Sequence, residues 1–385
     1  MARISVRRTA QRGGRLAGLG AAMAALALVV GVVVPAGAQG APGRTAQTAA
    51  AARQRVPRLN HVFIIMLENH SFDTVIGDPN MPYLNRLART YGQATQYYGV
   101  THPSEPNYIA ATSGSTWDNN TDNPDLRFDH YNIVDELTSH HLTWAAYMQS
   151  MPRPGYAGDE YPANEPLYVK KHNPFALYTD IADNPARMAH IKPYAQLAVD
   201  LRTGRVANYV WISPDTCDDL HGGVYDKIAG YPQTPCPYNS TNDDPADISL
   251  KHKADAFIKR TVQMIMASKA WTGNSAIFIT VDEGSYTGDA TNGGYTDVSG
   301  CCDSPVLPAG DPDISPSWPG GTYGGGRVAM VVISRHGPRH ATDATAYNHY
   351  SMLLTIEQGF RLPAIGYASD RNQVKPMWPL IVAGR

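Results

Sequence analysis

HVFIIMLENHSFD, residues 61 to 73, is the stretch on which the fold turns. Its first seven residues are almost continuously apolar, as in a strand covered on both faces of a parallel sheet, and charge arrives only when the run is over. Asn208 to Ser213, Ala276 to Val281 and Arg327 to Ser334 repeat the pattern. Between two of these runs, Lys253 to Trp271 sets Ala254, Phe257, Ile258, Thr261, Val262 and Ile265 on one stripe, which predicts a helix. Strands alternating with helices predict an α/β fold: a doubly wound, mostly parallel sheet flanked by helices. Asp118 to Asp129, Gly222 to Asp247 and Gly284 to Gly326 are rich in Gly, Pro, Asn and Asp and predict long loops over one edge of that sheet.

In open α/β sheets the ligand site lies beyond the carboxyl ends of the strands. The first run ends in Glu68-Asn69, the second in the segment Pro214 to His221, the third in Asp282-Glu283 and the fourth in Ser334 to Gly337. Gathered on one rim, Glu68, Asn69, Asp282 and Glu283 make an all-oxygen set with three negative charges, self-repelling unless a divalent cation neutralises it. Such a set suits Ca²⁺, Mg²⁺ or Mn²⁺, and added histidines would admit Zn²⁺ or Fe. The plainer alternative is that Glu68 and Asn69 cap the following helix. In HPSEPNY, residues 102 to 108, Ser104 occupies a cap position and Pro106 sits just inside a helix start. A serine there faces the positive end of the helix, where unpaired N–H groups attract phosphate, and beside a metal it becomes a nucleophile. His102 stands close to it, suited either to support the site or to pack the turn.

The chain has 385 residues, 43% of them apolar, enough for a substantial core. Residues 1 to 38 carry five arginines and no acid up to Arg15, then an apolar stretch from Leu16 to Val34, then Ala36-Gly37-Ala38, the order of a secretory signal peptide, with an uncleaved membrane anchor as the alternative. Residues 39 to 56 look like a flexible leader, and 57 to 385 like one domain. Loss of the five arginines would take the formal charge from −2 to −7, which excludes the basic footprint of a nucleic-acid binder. A secreted product with no stable membrane insertion is expected. Four cysteines, Cys217, Cys236, Cys301 and Cys302, favour disulfides in an exported chain, with the adjacent pair expected to bridge outward rather than to each other.

LENHSFD, HPSEPNY, PDTCDDLHG, VDEG and AYNHYSMLLTIEQGF, in this order, resemble the bacterial phosphoesterase family of secreted acid phosphatases and phospholipases C, within the alkaline phosphatase superfamily. The likeness is to its short members, such as the mycobacterial phosphatase acting on phosphatidylinositol 3-phosphate. The resemblance implies an alkaline phosphatase-like fold, metal ligation by Glu68, Asn69, Asp282 and Glu283, and Ser104 as nucleophile. His221 and His349 would contact phosphate or a second metal and act as imidazolium acids. Asp215 and Asp219 are weaker matches in the same cluster, and His172, with His102 and Asp219, would touch substrate. The larger phospholipases C carry Asn-Asp-Met-His-Asp where this chain has Asp218 to Gly222, and they have further C-terminal domains. The implied activity is metal-dependent hydrolysis of phosphate monoesters through a phosphoserine, with phospholipid head groups within range. A phospholipase C-type phosphodiesterase and a secreted metal-binding protein without turnover are the alternatives. A Ser-His-Asp esterase is disfavoured because no G-x-S-x-G elbow occurs.

Overall fold

A computed structural model of the protein describes residues 55–287, 294–304 and 324–382. The expected signal peptide and nearly all of the expected leader lie outside the described residues. Among the described residues, no helix is long and apolar enough to cross a membrane.

Eight strands form the main sheet: β1 Val62–Leu67, β2 Gly92–Ala94, β3 Trp144–Met148, β4 Ile191–Pro193, β5 Tyr209–Ser213, β6 Ala276–Val281, β7 Met330–Ser334 and β8 Ala341–Asp343. Their spatial order is β8-β2-β7-β6-β1-β5-β3-β4. β1 pairs in parallel with both β5 and β6, in register Ile64↔Trp211 and Ile64↔Phe278. Every residue of β1, β5 and β6 is buried, as strands covered on both faces require. The α/β, mostly parallel architecture is therefore the one expected from the apolar runs.

Two features of that reading change. The fourth run forms β7, which is antiparallel to both neighbours, so Ser334 to Gly337 leave at the edge opposite to Glu68 and Asp282. Apolar content says that a strand is covered, not which way it runs. The entry of β7 instead meets the functional rim: a Cβ on Gly99 would lie 2.7 Å from the Asp282 carbonyl and 2.9 Å from that of Gly325, so only glycine permits this approach. Strands β2, β3, β4 and β8 were not anticipated. Three of them are only three residues long, too short to show alternation, and β3 carries two alanines.

Helices α1 Pro82–Thr90, α2 Ser104–Ser113, α3 Pro245–Met266 and α4 His349–Phe360 flank the sheet, α1 packing on α3 and α2 on α4. The expected helix at Lys253 to Trp271 begins eight residues earlier and stops five residues sooner. Asp244 caps it by accepting the Ala246 N–H at 2.8 Å, and Pro245 fixes its first position. The first two turns carry the polar residues Asp247 and Lys251 on their buried side, which hides them from an apolar-stripe reading.

Cys217 and Cys236 form a disulfide across the 222–236 loop. Cys301 and Cys302 are bonded to each other, contrary to the outward pairing expected, and no other thiol is free to receive them. The chain reverses there, with Cys302 and Asp303 both at positive φ.

On α4, Glu357 accepts the Ile365 N–H at 2.9 Å through Oε1, while Oε2 is buried without a partner. Burial, reinforced by the charge of Glu136, pushes its carboxyl up to about 8. The folded state thus holds a proton that the unfolded chain releases at the ordinary glutamate range. This contribution to stability is whole below that range and is lost as pH rises through about 8. Glu357→Gln should therefore flatten the decline in melting temperature between pH 5 and 8 and melt higher than wild type at pH 8. Parallel melting curves across that range check it, and an unchanged slope refutes it.

Candidate active site

The rim at the carboxyl ends of β1 and β6 brings Glu68, Asn69, Asp282 and Glu283 together around Ser104, and Asp219, after β5, joins them through Glu68 and His172. β1 and β6 are paired out to Leu67↔Val281, so the next residues, Glu68 and Asp282, emerge side by side. Asn69 takes φ +51°, a left-handed turn that an asparagine tolerates, and its N–H donates to Asp282 Oδ1 at 3.1 Å. The Glu283 N–H donates to the same oxygen at 2.6 Å. Glu68 and Asn69 do not cap the following short helix: its cap is Ser71, which makes no side-chain capping bond.

Ser104 is the first residue of α2, one position inside the cap predicted for it, since Pro103 takes the cap. Its Oγ lies 2.9 Å from Glu68 Oε2, 3.0 Å from Glu283 Oε1 and 3.4 Å from Asn69 Oδ1. One hydroxyl hydrogen cannot serve three acceptors. Turned the other way, the Asn69 amide nitrogen would donate to Glu68 Oε2 and Glu283 Oε1, each at 3.1 Å. With its oxygen inward, the amide faces only acceptors. Asp219 Oδ2 and Asp282 Oδ2 are also buried without a hydrogen-bond donor. Burial, then mutual repulsion with Asp282, pushes Glu68 and Glu283 well above the usual carboxylate range, and burial alone brings Asp282 up to about 6. Crowded, donor-poor oxygens of this kind fit a hard divalent cation.

The helix-terminus anion site expected at α2 is partly spent. The Glu105 N–H donates to Asp122 Oδ1 at 2.9 Å, and Pro106 has no N–H to offer. Glu105 itself is buried, and burial, with Asp122 nearby, pushes its carboxyl up to about 9.

The histidines divide by position. His172 lies between Glu68 Oε1 at 3.2 Å and Asp219 Oδ2 at 3.3 Å, stacked parallel to Tyr108. Glu68, His172 and His221 form a group able to hold a metal ion, their ligand atoms within 4.8 Å of one another. His221 Nδ1 faces the Gly222 carbonyl at 2.9 Å, and its Nε2 faces Lys171 Nζ at 3.3 Å. His349, opening α4, is held at both nitrogens, Nδ1 to the Tyr97 hydroxyl at 2.9 Å and Nε2 to the Asp282 carbonyl at 2.6 Å. It sits behind Asp282 as a brace. His102 pairs through Nδ1 with Glu283 Oε2 and through Nε2 with the Asp297 carbonyl at 3.0 Å, so it supports the site. Burial pushes His102 down to about 3 and His221 and His349 to about 4, against the imidazolium role expected of the latter two. Asp215 stands apart: it accepts from Ser150 at 2.6 Å and Gln233 at 2.9 Å and shapes the loop before Asp219.

Three participants escaped the sequence reading. The Tyr108 hydroxyl donates to Glu68 Oε1 at 2.5 Å, and its place four residues after Ser104, on the same helical face, was the available signal. Lys171 and Asp122 form an ion pair at 2.7 Å beside His221, and only the adjacency of Lys171 to His172 pointed there.

Residues 78–363 match the model of the Phosphoesterase family. The chain belongs to that family. A phosphate-repressible acid phosphatase of Penicillium chrysogenum is 26% identical over 307 residues, covering 78% of this chain but only 59% of that enzyme. A phosphatidylinositol-3-phosphatase of Mycobacterium tuberculosis is 23% identical over 328 residues, 85% of each chain. Among solved structures, a phosphonate monoester hydrolase of Silicibacter pomeroyi superimposes with a TM-score of 0.49 at 12% identity, over 84% of this chain and 76% of that one.

If the family member's oxygen cluster takes a divalent cation, that cation should stabilise the fold by about 2 to 3 kcal/mol at a hundredfold excess over its dissociation constant. Manganese or zinc added to chelator-treated protein should raise the melting temperature by several degrees, and Glu283→Gln should lose most of the gain. Equal melting with and without each metal would remove the cation from the site.

Proposed function

We propose that the protein is a secreted, divalent-metal-dependent phosphatase that hydrolyses phosphate monoesters through a phosphoserine at Ser104. The observation that carries this reading is the hydroxyl of a core-anchored serine held 2.9 and 3.0 Å from two strand-end carboxylates, in a chain of the Phosphoesterase family. The activities named for the Penicillium and mycobacterial relatives supply the substrate class, phosphoinositides included. The signal-like residues 1 to 38 and the Cys217–Cys236 disulfide support export.

Glu68, Asn69, Asp282 and Glu283 would hold the cation, which supplies positive charge to the phosphoryl group and to the serine oxygen when bound. The chain's own groups do the rest. Glu68 Oε2 and Glu283 Oε1 are the acceptors in reach of the Ser104 proton. The Ser104 oxygen forms a bond to phosphorus as the bond to the ester oxygen breaks. The leaving alkoxide takes up the proton that the carboxylate accepted from Ser104, and water then cleaves the phosphoserine, its hydroxyl going to phosphorus and its other hydrogen to the Ser104 oxygen, to return the serine and inorganic phosphate. Tyr108 fixes the rotamer of Glu68, His102 that of Glu283, and His349 anchors the backbone of Asp282. Preorganised charge of this kind is the main source of rate in phosphoryl transfer.

Ser104→Ala should lower kcat on p-nitrophenyl phosphate by about three orders of magnitude or more while leaving metal content unchanged. Acid-quenched wild type should yield a phosphorylated Ser104 peptide by mass spectrometry. Retained turnover in the variant removes Ser104 from its role, and faster hydrolysis of p-nitrophenyl phosphorylcholine than of the monoester reverses the substrate class.

A further inference from the structure

Lys170 and Lys171 are adjacent in sequence but serve different sides of the fold. Lys170 pairs with Asp159 on the outer surface, whereas Lys171 turns toward the carboxylate basin. Its Nζ donates to Asp122 Oδ2 at 2.7 Å and lies 3.3 Å from His221 Nε2, whose other nitrogen faces the Gly222 carbonyl. An ammonium carries three hydrogens, and these contacts use two. The third has no protein acceptor among the described residues, and the side chain keeps 20% of its surface open. Asp122 fixes the position. Its second oxygen accepts the N–H of Glu105, the residue after Ser104, so one carboxylate ties the ammonium to the first turn of the helix that carries the serine.

The ammonium is also felt across the basin. Its charge lowers the carboxyls of Glu68, Asp219 and Glu283 against the burial that raises them, while Asp122 first, then Glu68 and Glu283, strengthen its hold on its own proton against burial. Asp122 is its sole carboxylate partner within ion-pair distance among the described residues.

We propose that Lys171 binds the third non-bridging oxygen of a phosphate monoester at the mouth of the site and so makes the site prefer monoesters to diesters. This rests on the reading of Ser104 as the centre of a phosphate-ester site. A monoester presents three non-bridging oxygens, all strong acceptors. With two of them facing Ser104 and the oxygen cluster, the third points outward. In a diester that position is an ester oxygen carrying carbon, which offers an ammonium little charge. A lysine stationed on the outer side of the basin therefore discriminates by what the substrate has there, not by the bond being broken.

Lys171→Gln removes the charge and keeps a donor for Asp122, and Lys171→Arg keeps the charge. In metal-loaded protein, K171Q should lower kcat/KM for p-nitrophenyl phosphate by about 10- to 100-fold, the range of a charge-assisted hydrogen bond, and that for p-nitrophenyl phosphorylcholine by at least about fivefold less. K171R, which keeps the charge on a larger, planar head group, should retain more of the monoester activity than K171Q. Calorimetric titration with inorganic phosphate should show affinity weakened by about tenfold or more in K171Q, with melting temperature close to wild type. The phosphate arm needs no turnover: lost affinity in K171Q with no hydrolysis by wild type would uphold the lysine and sink the phosphatase reading. Unchanged phosphate affinity, or equal losses on monoester and diester, overturns the proposal.

Discussion

Three buried carboxylates, an amide and a hydroxyl share one small volume at the carboxyl ends of β1 and β6, and most of the rim is built to sustain that crowding. Like charges a few ångströms apart in a poorly solvated site repel strongly, and each pays for burial as well. The sheet imposes the encounter. Parallel pairing of β1 and β6 up to Leu67↔Val281 leaves the next residues no choice but to emerge together. The surroundings then share out the oxygens. Asp282 Oδ1 takes two backbone N–H groups, Glu68 Oε1 takes the Tyr108 hydroxyl, and Glu283 Oε2 takes His102. The oxygens left over, Glu68 Oε2, Glu283 Oε1 and Asp282 Oδ2, are those around Ser104 or without a donor. A scaffold that assigns one oxygen of each carboxylate and turns the other toward Ser104, or leaves it without a donor, has the character of a cation site.

The bracing of this cluster comes from remote sequence. His349, from the start of α4, holds the Asp282 carbonyl, and Tyr97 holds His349. Gly99 lies against the same carbonyl and against Gly325 at the entry of the antiparallel β7, an approach that a Cβ would block. His70, next to Asn69, is buried against Asp247 of α3 at 2.9 Å, and Lys251 completes that pair at 2.8 Å. The polar residues that hid the start of α3 are thus the ones that anchor the turn after β1. Their burial is tolerable because every charge has a partner.

Much of this was legible in the sequence because strand-end chemistry is local. An apolar run followed by Glu-Asn, or by Asp-Glu, states both where a strand stops and what it delivers. The α/β class and the oxygen set could be read from those junctions alone. What stayed hidden depends on direction or on distance. The antiparallel course of β7 leaves no trace in composition. The bond between Cys301 and Cys302 depends on a local chain reversal. The histidines showed the limit most plainly: proton donors were expected at His221 and His349, whereas burial lowers both, and His349, held at both nitrogens, is a brace. Lys171 was invisible for the opposite reason, since a lone lysine in a loop is normally solvated and only the fold places Asp122 and His221 around it.

The two kinds of charge on this rim pose complementary problems. The carboxylates around Ser104 are short of positive charge, and among the described residues the ammonium of Lys171 has a single carboxylate within ion-pair distance and one hydrogen unassigned. Direct contact between the two would satisfy both and close the site, but Asp122, tied to the Glu105 N–H, holds the lysine on the outer side. An anion whose inner oxygens meet a cation and whose outer oxygen meets the lysine would satisfy both. A phosphate group has that distribution of oxygens, and a carboxylate substrate, with two oxygens in one plane, does not. The arrangement of charge thus points to the shape of the ligand as well as to its sign.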